Sequence, residues 1–237
     1  MTDTITAPET ARSEFFRGLR VSVPVLLGFI PFALVLGSQA AEKGISALEI
    51  ALMTGLNFAG GSEFTVVDLW TWPPTIPLIV ALTLLVNSRH ILMGAALAPT
   101  MRHLPLRKVL PALALMCDES WALGLDDARK RNGVLSLPFY IGLSLGLYLS
   151  WPSSAAIGAL IGPVLGDITR FGFDMAFPAV FLVMLSGMWQ GVATARPWLV
   201  SLVVGAGTYL LVPGAWYVPA GALSGIIAAY IWAKPDA

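Results

Sequence analysis

Long apolar stretches without a charged residue alternate with short polar segments along most of the chain. Residues 21–41, 132–166, 175–195 and 197–233 contain no Asp, Glu, Lys or Arg. A membrane-spanning helix needs about 20 apolar residues, so each stretch is long enough for at least one span. The period-two alternation typical of membrane strands is absent. The pattern therefore predicts an all-α polytopic membrane protein.

Polar residues, Pro and Gly divide the apolar pattern and interrupt several of its segments. The interruptions fall at 60–63, 87–90, 151–152 and 213–214, where a continuous helix is disfavoured. Tryptophans such as Trp151 are expected to anchor helices at the membrane interfaces. The apolar segments are, in chain order, 21–41, 46–70, 76–98, 109–125, 135–166, 174–190, 197–212 and 215–232.

The chain resembles itself at an offset of 126 residues. Residues 84–98 and 210–224 share Leu-Leu-Val near the start and Ala-Leu near the end. Together with other matches in the same order, this predicts a duplication of residues 14–100 and 138–226, with three helices in each repeat and some helices broken. The predicted organisation is a polar tail at 1–13, a first transmembrane repeat at 14–100, a charged linker with an apolar segment at 101–133, and a second transmembrane repeat at 134–233.

The number of spans depends on the apolar segment 109–125 of the linker. If this segment crosses the membrane, the chain has about seven transmembrane helices and parallel repeats. If the segment only dips into the membrane, the chain has six transmembrane helices and inverted repeats. Lys and Arg concentrate on the cytoplasmic side of membrane proteins. They divide seven to six in the first topology and eight to five in the second, so the count does not assign an orientation.

A run of four polar residues interrupts the apolar stretch "LLVNSRHILMGAALA" at 84–98. Placing an Arg at the bilayer centre costs about 2.5–3.5 kcal/mol on insertion scales, so such residues mark functional or paired positions. Transporters place binding sites near the midplane at broken helices, because the freed backbone groups must face protein or a wet cavity. The residues predicted to bind substrate are Asn57, Gly60, Gly61, Ser62, Glu63, Asn87, Arg89 and His90.

Each of these residues also has a structural alternative. Arg89 either holds a substrate carboxylate or forms an ion pair between helices, and Glu63 is then the expected partner and also a candidate proton carrier. His90 is either a titrating group or a side chain hydrogen-bonded to a neighbouring helix. Asn87 is expected to cap the helix that follows the break. The Gly60-Gly61 pair either opens a helix or allows close packing.

Two acidic residues, Asp118 and Glu119, lie within the apolar part of the linker. The basic run at 129–131 follows closely, so salt bridges to it at the membrane surface are one expectation. A role in gating or coupling, shared with Glu63, is the other.

Four stretches of the chain resemble the AzlC family, the large subunits of branched-chain amino acid exporters. They are "GFIPFALVLGSQAAEKGIS", "LNFAGGSEF", "NSRHILMGAALAP" and "CDESWAL", and the similarity extends from about residue 16 to 232. The resemblance implies a secondary transporter of the bacterial inner membrane that exports Leu, Ile and Val. It also implies proton-linked energy and a small membrane partner of the AzlD type. Family members tend to have Gln where this chain has Glu63, and this difference bears on substrate and coupling.

Several other classes of function lack support in the sequence. Lys and Arg equal Asp and Glu in number, at 14 each, so nothing indicates nucleic acid as a partner. The single cysteine, Cys117, excludes an intramolecular disulfide. The Gly-rich loop of nucleotide-binding proteins and the His-Glu-x-x-His motif of zinc hydrolases are absent, so neither an enzyme nor a cofactor is predicted. The alternatives to an exporter are a carrier or channel for another small solute, and a non-transporting membrane scaffold.

Overall fold

The computed structural model describes residues 10–165, 191–212 and 216–232, together with single positions 172, 175, 179, 182, 186 and 189. All regular elements in this part of the chain are helices. Three helices are long and apolar enough to cross a membrane, by length and composition: Ala11–Glu42, Ile76–Met101 and Leu137–Gly162. The all-α prediction is confirmed for the described residues, while the total of seven or six spans stays a prediction.

The chain forms two compact units, Met1–Leu182 and Val183–Ala237. The helices of the first unit are α1 (Ala11–Glu42), α2 (Ala47–Asn57), α3 (Gly60–Asp68), α4 (Ile76–Asn87), α5 (Arg89–Leu97), a 3₁₀ turn (Ala98–Met101), α6 (Leu106–Ala114), α7 (Asp118–Lys130) and α8 (Leu137–Leu165). The second unit contains α9 (Val192–Leu211) and α10 (Tyr217–Trp232).

Helices α1 and α8 pack against each other in parallel, with their backbones in close contact. A methyl group on Gly18 would overlap the carbonyl oxygen of Phe139, near the start of both helices. A methyl group on Gly37 would overlap the carbonyl oxygen of Ala155, near the end of both. The two backbones are so close that no side chain fits at either glycine. Small residues are what allow membrane helices to approach this closely. This pair is the central support of the first unit.

The contact between α1 and α8 is locally symmetric. A methyl group on Gly142 of α8 would overlap the carbonyl oxygen of Phe15 on α1. In the same way, a methyl group on Gly18 of α1 would overlap the carbonyl oxygen of Phe139 on α8. These two contacts are related by an offset of 124 residues, close to the offset found in the sequence. The predicted duplication itself stays a prediction, because most residues from 166 to 190 lie outside the described part of the chain.

The stretches whose sequences align best within the chain have different structures. Residues 76–101 form one bent helix of the first unit, whereas α9 and α10 are two antiparallel helices. Gly205 on α9 approaches the carbonyl oxygen of Tyr217, and Gly225 on α10 approaches that of Pro197. The predicted break at 213–214 lies outside the described residues.

The predicted second span, 46–70, is wrong, because this segment is a helical hairpin. A straight helix from residue 47 to 68 would separate its ends by about 33 Å. Instead, Lys43 Nζ donates to the carbonyl oxygen of Asp68 at 3.2 Å, and Trp72 Nε1 donates to that of Lys43 at 2.8 Å. The tip is Phe58, whose φ of 47° is left-handed. We call α2 and α3 the first hairpin.

The linker also turns back on itself and does not span. Lys108 near the start of α6 and Arg131 after the end of α7 line the same cavity, whereas a straight helix over 106–130 would be about 37 Å long. Arg131 is bound to Glu14 near the start of α1, at 3.1 Å. The tip, residues 115–117, therefore points away from this end of the unit. We call α6 and α7 the second hairpin.

The two hairpins enter the first unit from opposite ends. The first end is where α1 and α8 begin, and α4–α5 also finishes there, since Leu135 donates to the carbonyl oxygen of Thr100 at 3.1 Å. The second end is where α1 finishes, near Lys43 and Asp68. The linker dips, as the six-span alternative predicted. That alternative also predicted inverted repeats, in which α1 and α8 would run in opposite directions, whereas they run in parallel.

An ion cluster with two buried carboxylates, Glu14 and Asp127, holds the second hairpin at the first end. Arg17 on α1 binds both carboxylate oxygens of Asp127 on α7, at 2.6 and 3.0 Å, and both oxygens of Glu14, at 2.7 and 2.9 Å. Arg131 binds Glu14 and approaches Asp127 at 3.4 Å. The Arg17 guanidinium also lies 3.9 Å from the ring centroid of Phe139 on α8. The cluster therefore joins α1, α7 and α8.

Gly37→Ala tests the contact between α1 and α8. We expect a loss of about 3 kcal/mol in unfolding free energy, at the upper end of the cost of overpacking, because the new methyl meets rigid backbone. Gly94→Ala is the control, since nothing lies within 4 Å of a methyl group there. Thermal unfolding of both variants in detergent measures the difference. Equal unfolding temperatures for the two variants would contradict the close packing.

The hairpins change the charge count that the sequence left undecided. Only Lys43 is basic at the second end of the described first unit. Because Lys and Arg near helix ends favour the cytoplasm, we expect the first end to be cytoplasmic. The basic residues at the first end are Arg12, Arg17, Arg20, Arg102, Arg107, Lys108, Arg129, Lys130 and Arg131.

Cysteine labelling measures this orientation. In a Cys117→Ser background, an impermeant maleimide added to intact spheroplasts should label Thr71→Cys at the second end. Arg102→Cys at the first end should react only after permeabilisation. The reverse pattern would place the first end outside.

Candidate functional site

The tips of the two hairpins meet at a cavity of about 100 Å³ inside the first unit. Phe29 of α1 and Trp151 of α8 form part of its wall, and the junction of α4 and α5 contributes Arg89 and His90. The first hairpin contributes Phe58, Ala59, Gly60 and Gly61, and the second contributes Cys117, Asp118 and Glu119. Residues that are far apart in the chain thus meet close to the predicted polar breaks at 60–63 and 87–90.

The tip of the first hairpin presents the start of α3 to the cavity. The backbone N–H groups of Gly60 and Gly61 have no hydrogen-bond acceptor among the described residues. The helix macrodipole places partial positive charge at this end of α3. A methyl group on Gly60 would lie 2.9 Å from the Trp151 ring, and one on Gly61 would lie 3.5 Å from Arg89 Nη2. The glycine pair therefore combines a helix start with close packing.

Glu63 lies behind this tip and does not line the cavity. Its Oε1 accepts from the backbone N–H of Ala59 at 2.9 Å and from Asn57 Nδ2 at 3.2 Å. Its Oε2 accepts from Trp151 Nε1 at 2.6 Å, and the residue is 1% exposed. The predicted ion pair between Glu63 and Arg89 is wrong, since Arg89 pairs elsewhere. Glu63 instead fixes the tip of the first hairpin to α8.

Asparagines connect the first hairpin to α4. Asn57 Nδ2 donates to Ser62 Oγ at 2.8 Å, and Asn57 Oδ1 accepts from Asn87 Nδ2 at 2.8 Å. The prediction that Asn87 caps α5 is wrong, because that helix has no side-chain cap. Asn87 Oδ1 is buried without a hydrogen-bond partner. Asn57, Ser62 and Asn87 support the tip and do not line the cavity.

The predicted break at 87–90 is a mild bend. Ser88 has helical φ and ψ of −55° and −25°, and its N–H donates to the carbonyl oxygen of Leu84 at 3.0 Å. His90 Nδ1 lies 3.2 Å from the carbonyl oxygen of Asn87, one turn earlier in the same bent helix. The expected hydrogen bond from His90 to a neighbouring helix is therefore replaced by a local one. Arg89 is left to face the cavity.

Arg89 forms an ion pair with the tip of the second hairpin. Its Nη2 lies 3.0 Å from Asp118 Oδ2, while its Nε is buried without a partner. The expected salt bridges from Asp118 and Glu119 to residues 129–131 do not form in the described structure. That basic run pairs with Glu14, Asp126 and Asp127 instead. The physical reason is that Asp118 and Glu119 begin α7 and the basic run ends it, so the helix holds them about 18 Å apart.

Glu119 is the buried carboxylate of the cavity wall, with 3% of the residue exposed. Cys117 is the N-cap residue just before α7, and its N–H donates to Ser120 Oγ at 2.9 Å. No separate signal in the sequence marked Cys117, Phe29 or Phe58 as cavity residues. Trp151, expected at a membrane interface, is 2% exposed in the core. The predicted interruption at 151–152 is wrong, because α8 is one helix that continues through Pro152.

The charges and size of the cavity indicate what it can hold. Free N–H groups of α3 and the Arg89 guanidinium favour an anion, while Asp118 and Glu119 favour a cation. The volume is smaller than the roughly 150 Å³ of an engineered cavity that binds benzene. A larger solute therefore requires the hairpin tips to move. Among the described residues, no group of three or more His, Cys, Asp or Glu side chains is placed to hold a metal ion.

A mostly apolar cavity with a few charged side chains in its wall, between two hairpins of a helical membrane protein, is the kind of site that membrane transporters have. Residues 24–165, more than half of the chain, match the AzlC protein family. The chain belongs to this family, and the resemblance found in the sequence is confirmed. The matched residues include both hairpins and all residues that line the cavity.

Curated relatives are similar over most of their length. The branched-chain amino acid transport protein AzlC of Bacillus subtilis is 29% identical over 185 residues, 76% of this chain and 71% of the relative. The inner membrane protein YgaZ of Escherichia coli is 24% identical over 195 residues, 77% of this chain and 76% of the relative. An uncharacterized membrane protein of Archaeoglobus fulgidus is 29% identical over 178 residues, 74% and 76% of the two chains. No solved structure matches the chain. The predicted membrane location is confirmed.

Glu63→Gln tests the hydrogen bonds behind the tip. The amide has one acceptor oxygen, so its NH₂ group would face the Nε1–H of Trp151 and leave a buried donor unpaired. We expect a loss of about 1–3 kcal/mol in unfolding free energy. Trp151→Phe should reduce this loss in the double variant, because it removes the unpaired donor.

Glu42→Gln is the matched control for this cycle, since Glu42 is exposed near the end of α1. Thermal unfolding of the four proteins in detergent gives the coupling between positions 63 and 151. Strictly additive effects would show that the hydrogen bond does not hold the tip.

Proposed function

We propose that the chain is a secondary transporter that exports small amino acids, with Leu, Ile and Val as the leading substrates. The observation that carries this proposal is the cavity at the meeting point of two opposed hairpins, with one cation and two carboxylates in its wall. Family membership and the name of the Bacillus subtilis relative support the substrate class. The bacterial inner membrane is the proposed location.

The arrangement suits an amino acid zwitterion. Its carboxylate would bind the N–H groups of Gly60 and Gly61 and the Arg89 guanidinium, as anions bind at helix starts. Its ammonium would face Glu119 and Asp118. The aromatic rings of the cavity wall, from Phe29, Phe58 and Trp151, would contact an apolar side chain. Glu63 was the expected partner of Arg89 in the sequence, but Asp118 takes that place, and Glu119 is the second carboxylate of the cavity.

The two hairpins provide a route for alternating access. The first hairpin separates the cavity from the second end, and the second hairpin separates it from the first end. Moving one tip at a time would open the cavity to one side only. Asp118 and Glu119 are the candidate gating and proton-coupling residues at the cavity, while Glu63 acts on the tip of the first hairpin. His90 and the Asn57–Ser62–Asn87 group support this geometry.

A small membrane subunit of the AzlD type is part of the proposal. Such a subunit is implied by the family resemblance, and the functional assay therefore includes the neighbouring small-protein candidate from the genome. The lipid bilayer is the second partner.

Efflux from cells fed branched-chain dipeptides tests the proposal, because the peptides hydrolyse inside and load the cytoplasm with free amino acid. We expect faster efflux with the intact pair of subunits and a loss of about tenfold or more in Arg89→Gln. Hydrogen bonds to charged groups contribute about 1.5–3 kcal/mol, which corresponds to such a factor. Glu119→Gln should also reduce efflux, whereas Arg102→Gln, an exposed charge far from the cavity, should stay within about twofold.

Two outcomes would contradict the proposal. Unchanged efflux in a well-expressed pair would remove branched-chain amino acids from the substrate list. Equal activity of Arg89→Gln and Arg102→Gln would show that the cavity is not on the path. Counterflow of labelled substrate into preloaded vesicles distinguishes a carrier from a channel, since a channel does not exchange solute against its own gradient.

A further inference from the structure

A second cavity lies at the first end of the unit, far from the transport site. Its volume is about 430 Å³. It is formed where the start of the second hairpin meets the start of α8, with Lys108 on α6, Arg131 after α7 and residues 134–138 in its wall. His103, just before α6, completes the polar part of the lining.

The lining is basic, with no acidic side chain among its residues. Arg131 is held in place from behind by Glu14 and Asp127, the buried carboxylates of the ion cluster. Lys108 is exposed and forms no ion pair within the described part of the chain. The cavity therefore offers a cation without a counter-ion and a second one in a fixed orientation.

The edge of the cavity is apolar and exposed. Val134 in its wall is 49% exposed, and Leu104, Leu137 and Pro138 line the same cavity. Apolar side chains next to basic groups at the end of a membrane helix lie where acyl chains meet headgroups. A soluble anion would use the basic groups alone, whereas a phospholipid would use both the basic groups and these apolar side chains.

We propose that this cavity binds the phosphate group of an anionic phospholipid. Lys108, His103 and Arg131 would face the phosphate, and Leu104 and Val134 would contact the acyl chains. The lipid would join the start of α6 to the residues that lead into α8. It would thereby stabilise the base of the second hairpin, whose tip forms one side of the transport cavity.

Thermal unfolding of the purified full chain in detergent tests this site with three probes. We expect phosphatidylglycerol to raise the unfolding temperature, and phosphatidylcholine and inorganic phosphate to have much smaller effects. In Lys108→Gln, the phosphatidylglycerol concentration that gives half of the maximal shift should rise about fivefold. This factor corresponds to the contribution of about 1 kcal/mol from one basic residue near an anionic surface. Lys108→Arg should restore it.

Lys130→Gln is the matched control, because Lys130 is at the same end and pairs with Asp126 outside the cavity. It removes the same charge and should leave the lipid dependence unchanged. Equal weakening in Lys130→Gln and Lys108→Gln would reduce the effect to general surface charge and overturn the proposal. An equal shift with inorganic phosphate would identify a free-anion site, and an equal shift with phosphatidylcholine would remove the role of the phosphate charge; either result would overturn it as well.

Discussion

Backbone groups that leave a helix inside a membrane must find partners in protein or in a wet cavity, and the first unit is organised around this constraint. Two hairpin tips, at Phe58 and Cys117, place non-helical backbone deep in the unit. The parallel pair of α1 and α8 makes this possible, because Phe29 and Trp151 from its middle form the wall against which both tips lie. The glycines that bring α1 and α8 together thus support the site indirectly.

The buried carboxylates divide into two kinds of role. Glu63 accepts three hydrogen bonds and faces no cavity, so it determines where the first tip sits. Glu119 lines the cavity, as does Asp118, which is paired to Arg89. The side chain at position 63 therefore affects the support of the tip more directly than the contents of the cavity.

The sequence predicted the helical membrane class and several cavity residues, because apolar length and a buried Arg are local signals. It offered a dipping linker only as one of two alternatives and did not predict the first hairpin, since a span and a hairpin have the same composition and their difference lies in where the ends meet. The Ser46–Glu49 capping box marks the start of α2 but not the direction of the next helix. The pairing of Arg89 with Asp118 was missed for the same reason, because it follows from the second hairpin.

The ion pair between Arg89 and Asp118 relates substrate binding to movement of the second tip in the proposed transport cycle. It is a charged contact between the bent helix α4–α5 and the second hairpin, and the Arg89 side chain is partly exposed to the cavity. A zwitterion carries a carboxylate that can replace Asp118 at Arg89 and an ammonium that can replace Arg89 at Asp118. Entry of substrate would exchange one ion pair for two without leaving a buried charge unpaired, which is the costly outcome. A solute with a single charge would leave one partner unpaired, so the pair favours amino acids over simple ions.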